Sequence, residues 1–315
     1  MAAWGWQPAL LLAWILLGTP IFGGSDVYPL LVLAGIYGIA VVGVSILAGL
    51  GGQITLGHAV FMAMGAYASA LSTTRWGLSP VVGILLGITA ALTLALLTSP
   101  ILRLRGWYLA MATIAISFML QEVIVNLKTF TGGNNGIFGI PPLSVGGLEV
   151  TGEPAYFALA WSIVLILLLL GRNITHSRFG RSLTAINKDA DSAASVGINP
   201  ARAKAVLWLV ACVPAALAGS VFAHYSLFIA PSDFAFSTSL LLFAAVIVGG
   251  ERSIFGGLFM VAALVAMSAY VTETFTIDLM EAVAMIVVYL LSPHGLAGIG
   301  RALIGRLCGT GRSHA

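Results

Sequence analysis

The sequence predicts an all-α fold, a polytopic membrane bundle of about ten transmembrane helices that carries a short cytoplasmic surface helix. Three observations lead there. Of the 315 residues, 59% are hydrophobic and 8% charged, with a mean hydropathy of +1.04, whereas a soluble domain carries about 25% charged residues. Stretches such as 163–170 and 240–248 are apolar at every position, which excludes the alternating pattern of a membrane β-barrel. A polar island, SRFGRSLTAINKDADSAASVGINPARAK at 177–204, then interrupts this background and holds five of the 14 Lys and Arg. It is much longer than a turn between two spans requires, so it is expected to dock something in the cytoplasm.

About 20 apolar residues cross a hydrocarbon core about 30 Å thick. Spans are accordingly expected near 8–22, 29–48, 57–73, 80–99, 107–127, 154–171, 205–226, 236–250, 254–273 and 277–292. The first apolar stretch has no Lys or Arg before it and no small-residue cleavage site after it, so it reads as a retained helix. With these spans, one side collects Arg103, Arg105, the six basic residues between 172 and 204, Arg252, Arg301, Arg306 and Arg312, and the other holds Arg75 and Lys128. The positive-inside rule then puts both termini and the 172–204 loop in the cytoplasm. The opposite side carries 131–154 and 228–234, rich in Gly, Pro, Asn and acids as external turns are. The chain reads as one permeation-type domain over 1–315, with the loop 172–204 inside it. Cys212 falls in a span and Cys308 in the tail, so no disulfide framework is expected.

Two polar groups interrupt the apolar spans. In GLGGQITLGHAVFMAMGAY, 49–67, five glycines accompany Gln53, Thr55 and His58 at the junction of two spans. Backbone leaves a helix at membrane depth only where protein or a water-filled cavity satisfies it, and such breaks often line a transport path; a simple turn between two spans is the alternative. In 102–123, Arg103, Arg105, Trp107 and Tyr108 form an interfacial anchor. Further along, Thr113, Ser117, Gln121 and Glu122 fall on one helical stripe that either faces a pore or hydrogen-bonds a neighbouring helix. A carboxylate near membrane depth, as Glu122 would be, is costly unless it faces a cavity or a partner. Outside the spans, the Asn-Gly and Gly-Gly steps of TGGNNGIFGIP suit a structured external cap.

In the polar island, Leu183, Ile186, Ala190 and Ala193 or Ala194 recur at helical spacing, Asp189 and Asp191 fall between them, and Gly197 ends the pattern before Asn199-Pro200. This predicts one amphipathic helix along the membrane surface. The chain's three lysines, Lys128, Lys188 and Lys204, do not follow glycine, so there is no phosphate-binding Gly-Lys-Ser/Thr loop. The five histidines lack metal spacing, and no nucleophile elbow or catalytic carboxylate pair is present. An enzyme, a cofactor protein and a nucleic-acid binder are therefore not expected.

Together, GLGGQITLGHAVFMAMGAYA, LRLRGWYLAMATIA, TGGNNGIFGIP, FGRSLTAINKDADSAASVGI, FIAPSDFAF, VGGERSIFGG and SPHGLAGIG closely resemble the inner-membrane permeases of branched-chain amino-acid ABC importers. Urea and short-amide permeases look similar. The resemblance implies a bacterial inner-membrane assembly of two related permease subunits, two ATP-binding subunits and an external solute-binding protein, with this chain forming half the path for leucine, isoleucine or valine. It also implies that 179–197 is the coupling helix seated on an ATP-binding subunit, with Phe179, Gly180, Arg181, Leu183, Ile186, Asp189, Asp191 and Gly197 as its residues and Arg181 and Asp189 as polar contacts. Two features depart from the family pattern: Ala193-Ala194 precede Gly197 by two residues, not three, and Glu251-Arg252 stand where small or apolar residues are usual. From other classes, a secondary transporter or channel acting alone and an accessory scaffold also fit the composition.

Overall fold

In a computed structural model, residues 27–104, 106–145, 148–250 and 253–270 are described. The expected spans 8–22 and 277–292 lie outside them, as do Arg105, Glu251, Arg252 and the tail arginines. In chain order the helices are α1 (Tyr28–Gly51), α2 (Ala59–Trp76), α3 (Pro80–Thr98), α4 (Trp107–Asn126), α5 (Lys128–Thr131), α6 (Glu153–His176), α7 (Arg178–Lys188), α8 (Ala190–Ser195), α9 (Pro200–Ser226), α10 (Phe236–Gly249) and α11 (Ile254–Tyr270). Six segments among the described residues are long and apolar enough to cross a membrane: Tyr28–Gly51, Pro80–Arg103, Trp107–Asn126, Glu153–His176, Pro200–Ser226 and Pro231–Gly249. The chain is a helical, multi-pass membrane protein.

Local chemistry accounts for the helix ends. A proline in the first turn of α1, α3, α6 and α9 has its fixed φ already suited to the helix and lacks an N–H that would have no partner there. Glycines close α1 and α2 in the left-handed region, Gly52 at φ 58° and Gly77 at φ 61°.

The bundle is built around α1, α2 and α9. Within their most apolar windows 78% of α1 and 67% of α9 are buried, against 22% for the α3 segment and 28% for α4. Helices α3 and α4 therefore flank the bundle and present Leu85, Leu97, Trp107, Met111 and Met119 outward. Helix α2 is less apolar because it buries Ser69, Ser72 and Thr73 against other protein, their hydroxyls bonded within the bundle.

Lipid tails are as apolar as leucine, so helices associate in a membrane through close van der Waals packing and interhelical hydrogen bonds, which favours small residues. A Cβ on Gly65 of α2 would overlap the carbonyl of Ala216 in α9, and one on Gly219 of α9 would overlap that of Met62 in α2. The Ser220 hydroxyl uses this proximity to donate to Gly65 O at 3.0 Å. Gly249 of α10 and Gly256 of α11 make a similar backbone-to-backbone approach.

Four two-residue strands add to the all-α expectation. Strand β1 (Ile137–Phe138) pairs antiparallel with β4 (Phe228–Ile229), and β2 (Ser144–Val145) with β3 (Leu148–Glu149). Strand β1 lies in the expected cap segment, which pairs with the 228–234 stretch and is tied down by His224. Its Nδ1 donates to Pro141 O at 2.8 Å and its Nε2 accepts from Ser69 Oγ at 2.9 Å. Its backbone carbonyl accepts from Tyr156 Oη at 2.8 Å, which in turn accepts from Leu143 N at 3.0 Å. One fully paired histidine thus joins α2, α6, α9 and the loop.

Gly65→Val and Gly219→Val are each expected to lower the thermal unfolding midpoint in detergent, by overpacking worth about 1–3 kcal/mol. Leu97→Val, at a side chain that is 72% exposed, is the control. Equal midpoints for all three would remove the close α2–α9 crossing as a stabilising element.

Candidate functional site

Between α1 and α2 the chain leaves the helical conformation over 52–58, where the glycine-rich junction was expected, and Gln53, Thr55 and His58 are all buried. Three neighbouring helices hold this loop. Leu56 N donates to Thr113 Oγ1 of α4 at 3.1 Å. His58 Nε2 donates to Ala211 O of α9 at 3.0 Å. Ala59 N, an otherwise unpaired donor at the start of α2, donates to Ser239 Oγ of α10 at 3.0 Å. The His58 ring stands edge-on to Phe61 and Trp208, with centroids 5.6 and 6.3 Å away.

Thr113 and Ser117 are the face of α4 on which the loop rests, so two candidate groups that are far apart in the chain form one site. Thr113 Oγ1 donates to Ala110 O at 2.8 Å while accepting from Leu56, and Ser117 Oγ donates to Thr113 O at 3.1 Å. Gly57 lies so close to the Thr113 carbonyl that a Cβ would overlap it. The expected stripe does not continue intact. Gln121 is half-buried and Glu122 exposed, where Asn126 Nδ2 donates to Glu122 Oε1 at 2.7 Å. Five residues beyond Ser117 is about 140° round a helix with 3.6 residues per turn. Glu122 is therefore carried off the inward face.

Several buried polar atoms around this loop have no protein partner among the described residues: both amide atoms of Gln53, Thr55 Oγ1, His58 Nδ1 and, nearby in sequence, Ser45 Oγ. Leaving a buried polar group unpaired costs about 1–3 kcal/mol.

The 177–197 segment corrects the expectation of one continuous helix. It forms α7 and α8, separated at Asp189, whose φ of −156° and ψ of 109° are extended. The Asp189 carboxylate caps α8 by accepting from Asp191 N at 3.0 Å and Ser192 N at 3.2 Å. Hydrogen bonds from the Ser192 hydroxyl, then from these backbone N–H groups, hold the carboxyl below its ordinary range. Gly180 permits the tight turn from α6 into α7, its Cα lying against the carbonyls of Ile174 and Thr175. Ser177 caps α7 by accepting from Gly180 N at 3.1 Å.

Of the residues expected to couple, Gly180, Leu183 and Ile186 are buried within this chain and Phe179 is half-buried, while Arg181, Asp189, Asp191 and Gly197 are exposed. The hydrophobic stripe of α7 therefore anchors the segment to its own bundle. The outward face is polar, apart from Val196 at 75% exposure, which the helical pattern missed because it lies beyond α8.

The loop and the segment meet. A Cβ on Gly52 would overlap Asn187 Oδ1, and beside this contact lies a cavity of about 360 Å³. Gln53 and Leu109 contribute to its wall from the loop and α4, Ile186, Lys188 and Asp191 from the segment, and Lys204 from α9. Asn187 and Ser239 are neighbours of the candidate residues that no local pattern indicated. Among the described residues no cluster of three or more His, Cys, Asp or Glu could hold a metal ion.

Residues 27–292 match the family model of the branched-chain amino acid transport system, permease component. The chain is similar to the high-affinity branched-chain amino acid transport system permease protein LivM of Salmonella typhimurium, with 30% identity over 84% of this chain and 68% of that protein. With LivM of Escherichia coli K12 it shares 30% identity over 70% of this chain and 57% of that one. The permease protein LivH of the Salmonella system is 28% identical over 59% of this chain and 62% of its own length. The chain thus spans between about half and two thirds of the length of these relatives. No solved structure matches it.

Thr113→Val removes the acceptor of Leu56 N–H and is expected to cost about 1–3 kcal/mol, with faster hydrogen exchange at Leu56; Thr113→Ser keeps both. Equal exchange in the two variants would dismiss this clamp. At Asp189, a depressed carboxyl pKa means the cap is fully present above 3.8 and is lost as pH falls through the lower folded value. Amide protection at Asp191 and Ser192, corrected for intrinsic exchange rates, is expected to fall in that acidic window, with Asp189→Asn abolishing the pH dependence.

Proposed function

This chain belongs to the permease-component family of branched-chain amino acid transport systems, and we propose that within such a system it forms half the translocation path of an ATP-binding-cassette importer for leucine, isoleucine and valine. A second permease subunit supplies the other half, two ATP-binding subunits supply the energy, and an external solute-binding protein delivers the solute. The chain crosses the bacterial plasma membrane about ten times with both termini in the cytoplasm, and 179–197 is the coupling segment.

The observation that carries this reading is the contact of Gly52 with Asn187. It joins a polar segment with an exposed outer face to a broken helix junction that is clamped at the centre of the bundle. When ATP binding closes the two ATP-binding subunits, their grip on Arg181, Asp191 and Val196 displaces α7 and α8. The buried Leu183 and Ile186 make that displacement a movement of the bundle surface, and Asn187 transmits it to the 52–58 loop. Because α4, α9 and α10 each hold the loop through a hydrogen bond, its displacement shifts their relative positions and exchanges an outward cavity for an inward one. The unpaired polar atoms of Gln53, Thr55 and His58 give the path groups that a passing solute can use briefly. Contacts of this number support weak binding and release, with selectivity left mainly to the solute-binding protein.

Deleting 182–196 is expected to leave membrane insertion intact and abolish co-purification with the ATP-binding subunits; normal co-purification would refute the docking assignment. Gly52→Val combines a side chain at φ 58° with a collision at Asn187, so it is expected to keep the subunits assembled and lower leucine uptake per ATP hydrolysed in proteoliposomes. Uptake driven by an ion gradient without ATP-binding subunits would instead identify a transporter that works alone.

A further inference from the structure

We propose that the outward face of α4 packs against the second permease subunit, a related but different chain that offers Glu122 a hydrogen-bond donor within the membrane. That such a subunit exists rests on the reading above; the face that meets it is new. Met111, Ala115, Met119, Glu122, Val123 and Asn126 are all exposed, and at about 100° per residue they fall within about 120° of one another round the helix. The buried residues Leu109, Ala110, Thr113, Ser117 and Ile124 occupy the opposite side. Helix α4 thus rests one face on its own bundle and the clamped loop, and among the described residues the other lies open.

An outward face in a membrane meets lipid or another protein, and Glu122 decides between them. Tyr108, 72% exposed beside Trp107, marks the headgroup level at the start of α4. At about 1.5 Å per residue Glu122 lies about 21 Å further on, inside a hydrocarbon core about 30 Å thick. Among the described residues no other acid lies as far inside any of the six spans, Glu153 and Asp233 standing at the first and third positions of theirs. A carboxylate at that depth faces protein or water and not lipid tails. The Asn126 amide donates to it at 2.7 Å, and a carboxylate has room for further donors. The outward face of α3 differs: it carries Val81, Leu85 and Leu97 with Thr89 and Thr93, whose hydroxyls donate to Leu86 O and Thr89 O. That face suits lipid.

Charge selects the occupant. A second copy of this chain, packed α4 against α4 about an axis along the membrane normal, brings residues of one depth against their own counterparts. Glu122 would then face another carboxylate, which like charge disfavours. The expected span 277–292 of the same chain brings Asp278 and Glu281 and no Lys or Arg. A related chain with a different residue at this depth avoids both conflicts. LivM and LivH of Salmonella, both similar to this chain, show that related, non-identical permease proteins of this family occur in one organism.

The test is photocrosslinking in the complete assembly, both permease subunits and both ATP-binding subunits in native membranes. The photoreactive residue p-benzoylphenylalanine replaces Met111 or Met119 on α4 and, as controls, Leu85 on α3 or Ile166 on α6, all between 56% and 64% exposed. Adducts to the second permease, identified by mass spectrometry, are expected from both α4 positions and from neither control. Adducts from α4 to lipid alone, to a second copy of this chain or to residues 271–315 of the same chain would each overturn the proposal, as would equal yields from the controls. Glu122→Leu gives an independent readout. Loss of a hydrogen bond to a charged group is expected to weaken retention of the second permease about tenfold when the solubilised assembly is diluted. Glu122→Gln keeps an acceptor and is expected to recover most of that loss. On a lipid-covered face the same leucine leaves retention unchanged and raises the unfolding midpoint, a result that also overturns the proposal. Failure of the importer reading appears elsewhere, as ATP-binding subunits that co-purify after removal of 182–196; a missing α4 adduct in an assembly that needs 182–196 sinks this proposal alone.

Discussion

A buried polar group without a partner costs about 1–3 kcal/mol, and the buried 52–58 loop meets this constraint on three helices at once. Thr113, the Ala211 carbonyl and Ser239 come from α4, α9 and α10, separated from their loop partners by 57, 153 and 180 positions in the chain. The loop in turn sets where those helices stand around it. Pro214 strengthens the dependence. Lacking an N–H, it deprives the Val210 carbonyl of its helical donor, at the same turn of α9 where His58 bonds Ala211.

The approach of the helices is set by small residues. With carbonyls where side chains would otherwise be, at Gly65 against Ala216 and Gly219 against Met62, α2 and α9 pack at backbone distance and Ser220 can bridge them. The polar seam at the 52–58 loop, by contrast, holds the side-chain atoms of Gln53, Thr55 and His58 that have no protein partner among the described residues. The cost of leaving them unpaired makes the seam responsive to anything that offers a donor and an acceptor.

Two histidines divide the structural labour. His224 uses both ring nitrogens to hold the cap, and Tyr37, Phe222, Phe234 and Tyr67 form a continuous aromatic chain toward the same end, with successive centroids 6.5, 5.8 and 6.1 Å apart. His58 uses Nε2 for the clamp and keeps Nδ1 unpaired. His224 thus closes its end of the bundle with both ring nitrogens paired, although the buried Tyr67 Oη in that aromatic chain has no partner among the described residues, while the end near His58 holds polar capacity and a cavity.

Particular residues show how far the sequence could be read. The apolar runs located the six spans of the described residues, and the glycines with Gln53, Thr55 and His58 located the break, because transfer energy and backbone preference are local and add along the chain. The four-residue spacing of Thr113 and Ser117 correctly placed them on one face, whereas the turn of the helix removes Glu122 from it. The periodicity of Leu183 and Ile186 was legible as an apolar stripe, but only packing showed that it faces the chain's own bundle. Asp189 followed three residues later by Ser192 could have signalled a helix start; the longer hydrophobic repeat concealed it. The sequence by itself determined the membrane class, the six spans that the described residues show and the polar segment. Tertiary structure alone decided which helices clamp the loop, that Asn187 reaches Gly52, and that a cavity of both charge signs lies between them, since such pairings are made across the fold and leave no period in the chain.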